Sequence, residues 1–331
     1  MRRRLAVLCA GQGEQAGLDF AALRPAGAAA DAASAAQRLW AAASRQVGHD
    51  WAEDWATRSQ EARRANRHAQ LAVVVWQGLT WLAWQQRAAQ GAGASTAALP
   101  TADWVVGYSV GELAAHAIAG SLDWADLPAL AVARAAAMDA CIGSVVSPLP
   151  SGPGGGDNAA RYCLLLLNER LPPAARSRRQ IALDRHGLAL AIQRSPGEAV
   201  WGGPAAAVAA FLAESQQAGW GARLLPVTVP SHTRHLRAAR PAWTAALDAV
   251  QVQAPRHGVL AGITGEPVRT ADSVRQTLIA QLEQPIQWAL TLEALRERGI
   301  THALDLGPGR DQSRLLEAVA PAVLVEGADP P

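Results

Sequence analysis

The segment Val105-Val106-Gly107-Tyr108-Ser109-Val110-Gly111-Glu112-Leu113-Ala114-Ala115-His116 restricts the fold more than any other stretch of the chain. A short β-branched run enters a Gly-x-Ser-x-Gly turn and leaves it in strong helix formers, which predicts a strand, a sharp corner at Ser109 and a helix. Glycines on either side remove the Cβ atoms that would clash where the helix packs back on the strand. A corner of this kind is a nucleophile elbow. It presents the serine oxygen at the edge of a sheet, while the backbone N–H of Val110 points toward any oxygen that turns negative during attack.

The chain has 331 residues, long enough for one large core with an inserted lobe or for two domains of ordinary size. Half of it is apolar and 18% is charged, with a net charge of +2 and the two signs interspersed. No nucleic-acid stripe and no polybasic membrane patch is expected from such a distribution. All 30 basic residues are arginines. Lysine chemistry is therefore excluded: no Schiff base, no pyridoxal-phosphate enzyme of the usual kind and no Walker A phosphate loop. Cys9, Cys141 and Cys163 are widely spaced in apolar runs, which suits reduced thiols in a cytoplasm better than disulfides or a metal site. The apolar part of the N-terminal run, Leu5 to Ala10, is too short for export or for crossing a bilayer, and no other segment reaches transmembrane length free of charge. A cytoplasmic protein without membrane attachment, metal or bound cofactor is expected.

Leu5 to Ala10 reads as a first buried strand running into Gly11-Gln12-Gly13-Glu14-Gln15-Ala16-Gly17. Gly11, Gly13 and Ala16 satisfy a dinucleotide fingerprint, with Asp31 near the spacing of a ribose ligand. Asp31 nevertheless belongs to an Ala-rich helical pattern rather than to a second strand end, so a tight turn without ligand is the preferred reading. From Asp31 to about Gln90 apolar residues recur at three and four, predicting helix, and the tryptophans at 40, 51, 55, 76, 81 and 84 read as packing. A small-residue connector follows at 91–99, then the strand 104–107 and the elbow. Asp123 to Cys141 is a further helix in which Arg134 interrupts an apolar face. That arginine either snorkels to the surface or is held in a pocket to fork onto a carboxylate.

Ser147 to Asn158, rich in Pro and Gly, is linker-like. Strand-like Tyr162–Leu167, a helix within 172–185, strand-like Leu188–Ile192, a short run near 199–201, a helix from Pro204 to Ala218 and strand-like Arg223–Val229 follow. This is the order of a small ferredoxin-like lobe. Pro226-Val227-Thr228-Val229-Pro230-Ser231-His232 then ends a strand on a rigid turn that delivers a candidate general base, with His235 as the alternative. Val259–Thr264 and His302–Leu306 predict further strands, and 270–295 a helical stretch interrupted at Pro285.

In chain order, Gly11-Gln12-Gly13-x-Gln15, Gly107-x-Ser109-x-Gly111-Glu112, Arg134, Val229-Pro230-Ser231-His232, Gln281-Leu282-x-Gln284-Pro285-x-x-Trp288 and Gly307-Pro308-Gly309 together resemble the malonyl-CoA:acyl-carrier-protein transacylases. The resemblance implies an α/β-hydrolase-like large domain with a parallel sheet, at 1–143 and 222–331, and an inserted ferredoxin-like subdomain at 144–221. It implies Ser109 as nucleophile, His232 as base, the amides of Gln12 and Val110 as oxyanion hole, and Arg134 as partner of the malonyl carboxylate. Malonyl-CoA would be the donor substrate, and the phosphopantetheine-type thiol of an acyl carrier protein the acceptor. In this family a backbone carbonyl, expected here near Ala261 or Gly262, orients the histidine; Asp305 is the other possible orienter.

The chain departs from the usual family pattern at Tyr108, Val110 and Cys9-Ala10. Its Gly-Tyr-Ser-Val-Gly-Glu-Leu form is similar to the transacylase (epsilon) subunit of bacterial malonate decarboxylase, which implies the carrier subunit and other subunits of that enzyme as partners. Fatty-acid or polyketide transacylase is the alternative. Two other readings are a serine hydrolase, which the helix-borne Arg134 and the absence of a Ser-Asp-His order argue against, and a non-catalytic docking or dinucleotide-binding subunit.

Overall fold

Leu5–Cys9 is apolar at every position and buried at every position, as a strand covered on both faces must be. It is β1 of a computed structural model that describes residues 3–26, 34–91, 101–143, 162–168 and 170–327. Helices α1 (Ala35–Val47), α2 (Trp51–Thr57), α3 (Gln60–Arg64) and α4 (Asn66–Gly91) follow, then β2 (Trp104–Gly107), α5 (Gly111–Ile118) and α6 (Leu127–Ile142). Next come β3 (Tyr162–Asn168), α7 (Pro173–Arg185), β4 (Ala189–Ser195), β5 (Glu198–Pro204), α8 (Ala205–Ala218) and β6 (Ala222–Leu224). The chain closes with α9 (Arg240–Asp248), β7 (Gly258–Leu260), β8 (Pro267–Val268), α10 (Ala271–Ala280), α11 (Trp288–Glu297), β9 (His302–Asp305), α12 (Asp311–Val319) and β10 (Leu324–Gly327).

The helical run from 31 to 90 is divided by its own capping residues. Ser34 makes a capping box with Gln37, Gly48 ends α1 at φ 85°, and the Asp50 carboxylate caps α2. Asp31 and the connectors 92–99 and 147–158 lie outside the described residues.

The described residues fall into two compact units. The first takes those within Met1–Ala135, Ala245–Leu278 and Leu290–Pro331. Its sheet has the order β10-β9-β1-β2-β7-β8, parallel throughout except for the hairpin of β7 with β8. Val7, Cys9, Val105, Ala114, Ala115, Leu304 and Trp81 meet in its core. The central position of β1 and β2 brings the loops that follow them side by side at the carboxyl end of the sheet, where open α/β sheets bind their ligands.

The second unit takes the described residues within Ala136–Thr244 and Ile279–Ala289. Its antiparallel sheet, β4-β5-β3-β6, has the strand order of a ferredoxin-like fold, packed around Leu165, Leu167, Leu183, Val208 and Phe211. This unit is wider than the 144–221 insert expected above. Ile286 joins it through main-chain hydrogen bonds with Ala191 and Gln193, and β6 pairs with β3.

Two expected strands are shorter than read. The segment 223–229 holds only the end of β6, because Pro226 and Pro230 have no N–H to continue a ladder. The strand 259–264 stops at Leu260 and turns through Gly265, at φ 73°, with the Ala261 N–H donating to Glu266. No helix among the described residues is long and apolar enough to cross a membrane.

Candidate active site

The elbow is held by backbone chemistry. The Tyr108 N–H donates to the Cys9 carbonyl at 2.8 Å, carrying the β1–β2 pairing one residue past the strand. The chain then reverses: Gly111 N–H bonds Tyr108 O and Glu112 N–H bonds Ser109 O, both at 3.1 Å. Ser109 sits at φ 57°, in the left-handed region that a side chain rarely adopts. Gly107 and Gly111 are required by close approach. A Cβ on Gly107 would run into the Glu112 backbone, and one on Gly111 into the carbonyls of Cys9 and Ala10. On the neighbouring loop a Cβ on Gly11 would come 2.9 Å from the Tyr108 ring, so the Gly11–Gln12 turn lies against the corner. Gln15 stabilises that turn by accepting from the Gly13 N–H at 2.7 Å. Val110 precedes α5, and its N–H belongs to the first turn, which has no intrahelical acceptor.

Arg134 is 2% exposed and does not reach the surface. Its Nη1 donates to Gln70 Oε1 at 2.8 Å, and Gln70 Nε2 donates to Asn66 Oδ1 at 2.8 Å. Burial lowers the Arg134 pKa to about 10, with the buried Glu112 carboxylate acting the other way. The guanidinium therefore remains cationic at neutral pH, a fixed positive charge in a low-dielectric setting.

In the second unit, Val229-Pro230-Ser231-His232 forms a turn in which Ser231 N–H bonds Val229 O at 2.8 Å and the Thr233 hydroxyl bonds Pro230 O at 2.6 Å. His232 is held at φ 64° with its N–H on Leu282 O at 2.9 Å. Its Nδ1 lies 2.6 Å from the carbonyl oxygen of Gln281, which accepts only, so Nδ1 carries the proton and Nε2 is left with a lone pair. The orienting carbonyl is thus that of Gln281, not of Ala261 or Gly262. The Ala261 carbonyl instead accepts from the Thr264 and Gly265 N–H groups, at 3.2 and 2.8 Å, in the turn that ends its strand. Asp305 does not orient the histidine either; it accepts from Gly307 N–H, Ser313 N–H and the Ser313 hydroxyl. The run Gln281-Leu282-x-Gln284-Pro285 was the available signal for Gln281, but a main-chain acceptor leaves no mark in side-chain type. His235, the alternative base, packs against Tyr162 at 5.3 Å, and its pKa is lowered by burial and by Arg234.

Of the predicted residues, Gln12, Ser109, Val110 and Arg134 belong to the first unit and His232 to the second. Among the described residues no group of three His, Cys, Asp or Glu could hold a metal ion.

A strained serine at a strand-to-helix corner of a mainly parallel sheet, together with a ferredoxin-like lobe, defines an α/β-hydrolase-like protein. Residues 8–308 match the acyl transferase domain family, and the chain belongs to that family. It is 25% identical over 299 residues to the malonyl CoA-acyl carrier protein transacylase of Escherichia coli K12, covering 89% of this chain and 88% of the relative. The protein of the same name from Haemophilus influenzae is 29% identical over 209 residues, 62% of each chain, so the match spans less than two thirds of that relative. Among solved structures, a type II PKS acyl-carrier protein in complex with its malonyl-transacylase aligns with a TM-score of 0.78 at 22% identity, over 98% of this chain and 95% of that one. This last likeness concerns the fold.

Proposed function

We propose that this acyltransferase moves a malonyl group from malonyl-CoA, through an ester on Ser109, to the thiol of an acyl carrier protein. The observation that carries the reading is Ser109 at φ 57° with the Gly11–Gln12 turn packed against its corner. His232 Nε2 takes the Ser109 Oγ proton as Oγ attacks the thioester carbonyl, and the N–H groups of Gln12 and Val110 receive the oxyanion. Collapse breaks the C–S bond and the imidazolium returns the proton to the departing CoA thiolate. The carrier thiol then attacks the acyl-serine by the reverse sequence, giving its proton to His232 and restoring the serine hydroxyl. Arg134 pairs with the free carboxylate; acetyl-CoA, which lacks that group, leaves the buried cation without it. The names of the relatives support the same donor and acceptor.

For the carrier, the Gly-Tyr-Ser-Val-Gly-Glu-Leu sequence supports the malonate decarboxylase carrier subunit, with other subunits of that enzyme as partners. The fold shared with a malonyl-transacylase in complex with a type II PKS acyl-carrier protein supports a synthase carrier as the second reading. Steady-state transfer from labelled malonyl-CoA to each purified holo-carrier tests both: parallel double-reciprocal lines and a higher kcat/KM for the decarboxylase carrier are expected. Intersecting lines contradict the acyl-enzyme, and preference for the synthase carrier selects the second reading.

A further inference from the structure

β1 and β9 are neighbouring parallel strands, and both chains leave the sheet at the same end, β1 into the Gly11–Gln12 turn and β9 into Gly307-Pro308-Gly309. Where the ladder stops, α4 takes over. Gln77, fully buried on α4, places its Nε2 at 2.7 Å from the Ala10 carbonyl and 2.8 Å from the Gly307 carbonyl. Both neighbours are acceptors, so only the NH2 side of the amide can face them. Its Oε1 is buried with no hydrogen-bond partner among the described residues. A buried unmatched acceptor is destabilising, a cost that is tolerated here to keep the two N–H donors in place.

The Ala10 carbonyl is gripped from two sides. Gly111, the first residue of α5, leaves no room for a Cβ against it, and Gln77 holds it from α4. The next peptide leads to the Gln12 N–H. The Gly307 loop is set by the same amide, by the Asp305 carboxylate on the Gly307 N–H, and by the Glu14 carboxylate, which fills the space beside Gly309. One side chain therefore ties the Ala10 carbonyl, where the chain enters the Gly11–Glu14 turn, to the Gly307 carbonyl of the Gly307–Gly309 turn.

We infer that Gln77 is a positioning residue for acyl transfer, fixing the orientation of the Gln12 N–H that receives the oxyanion. This inference rests on the function proposed above. Gln77→Met keeps the length and removes the donor, leaving two buried carbonyls without it. Gln77→Glu presents a carboxylate to two carbonyl oxygens and regains a donor only when protonated.

The test is rapid-quench acylation by malonyl-CoA, scored by intact mass for both rate constant and amplitude. Thr80→Val, which removes a buried hydroxyl that has no hydrogen-bond partner among the described residues, about one turn further along α4, is the control. Amplitude counts folded, competent protein and the rate constant reports the geometry. Gln77→Met is expected to keep its amplitude and its KM for malonyl-CoA while the rate constant falls about 10²-fold, the effect of a small misplacement at a reacting centre. Gln77→Glu is expected to gain rate relative to wild type as pH falls, and Thr80→Val to match wild type. A Gln77→Met rate constant equal to wild type, or a loss confined to amplitude, overturns the inference. A wild-type protein that forms no adduct overturns the functional reading and this role with it.

Discussion

The imidazole Nδ1 of His232 lies 2.6 Å from the main-chain carbonyl of Gln281, and the ring is 1% exposed. A carbonyl fixes the tautomer as firmly as a carboxylate does, without adding a charge. His232→Ala is expected to lower acylation by malonyl-CoA about 10²- to 10⁴-fold, the usual contribution of a positioned base. Pre-steady-state kinetics check this, and a loss below tenfold would contradict His232 as the base.

Strain at the corner has a stability consequence. Ser109 holds φ 57°, which glycine adopts freely. Ser109→Gly is expected to abolish acylation and to raise unfolding free energy by about 1 kcal/mol, the lower end of such strain. Urea unfolding of the two proteins measures it; a destabilised Ser109→Gly would show that the serine side chain stabilises the corner instead.

The glycines flanking the corner should behave in the opposite way. A Cβ at Gly107 meets the Glu112 backbone, which cannot move aside as a flexible side chain could. Gly107→Ala is expected to destabilise the protein by about 1–3 kcal/mol, as overpacking does. An unchanged thermal midpoint would contradict the close strand-to-helix contact.

Arg134→Ala should separate binding of the carboxylate from acyl chemistry. The acylation rate constant per CoA concentration is expected to fall about 10- to 100-fold for malonyl-CoA, the worth of a charged hydrogen bond, with little loss for acetyl-CoA. Equal losses for both donors would remove Arg134 from recognition of the carboxylate.

Acid sensitivity should arise from His116. It is fully buried on α5, neither ring nitrogen has a hydrogen-bond partner among the described residues, and burial lowers its pKa to about 4. The unfolded chain binds a proton at this site below about pH 6.5 while the folded chain stays neutral down to about 4, so stability falls as pH drops through that window. The loss amounts to about 3 kcal/mol at the acid end. His116→Leu should flatten the pH dependence of urea unfolding between those values; an unaltered slope would contradict it.

What the chain reveals before folding is its local chemistry. The β1 run, the glycine-flanked elbow and the strand-helix order of the ferredoxin-like lobe were legible because apolar periodicity and turn residues act over a few positions. Gln281 as the orienter of His232, and Gln77 as the tie between the Ala10 and Gly307 loops, were not legible. Both act through main-chain carbonyls distant in sequence, and a carbonyl is common to every residue. Arg134 stood between two readings because spacing marks an interrupted apolar face without saying how deeply the face is buried; at 2% exposure the snorkelling reading does not hold. The early end of β7 followed from a turn at Gly265 that an apolar run does not announce.

The most direct measurement is the intact mass of wild-type and Ser109→Ala protein after brief incubation with malonyl-CoA, followed by peptide mapping of any adduct. One malonyl group on the peptide containing Ser109, present in wild type and absent from Ser109→Ala, is the predicted result. An adduct on another residue, or CoA released steadily with no adduct on the protein, would contradict transfer through Ser109.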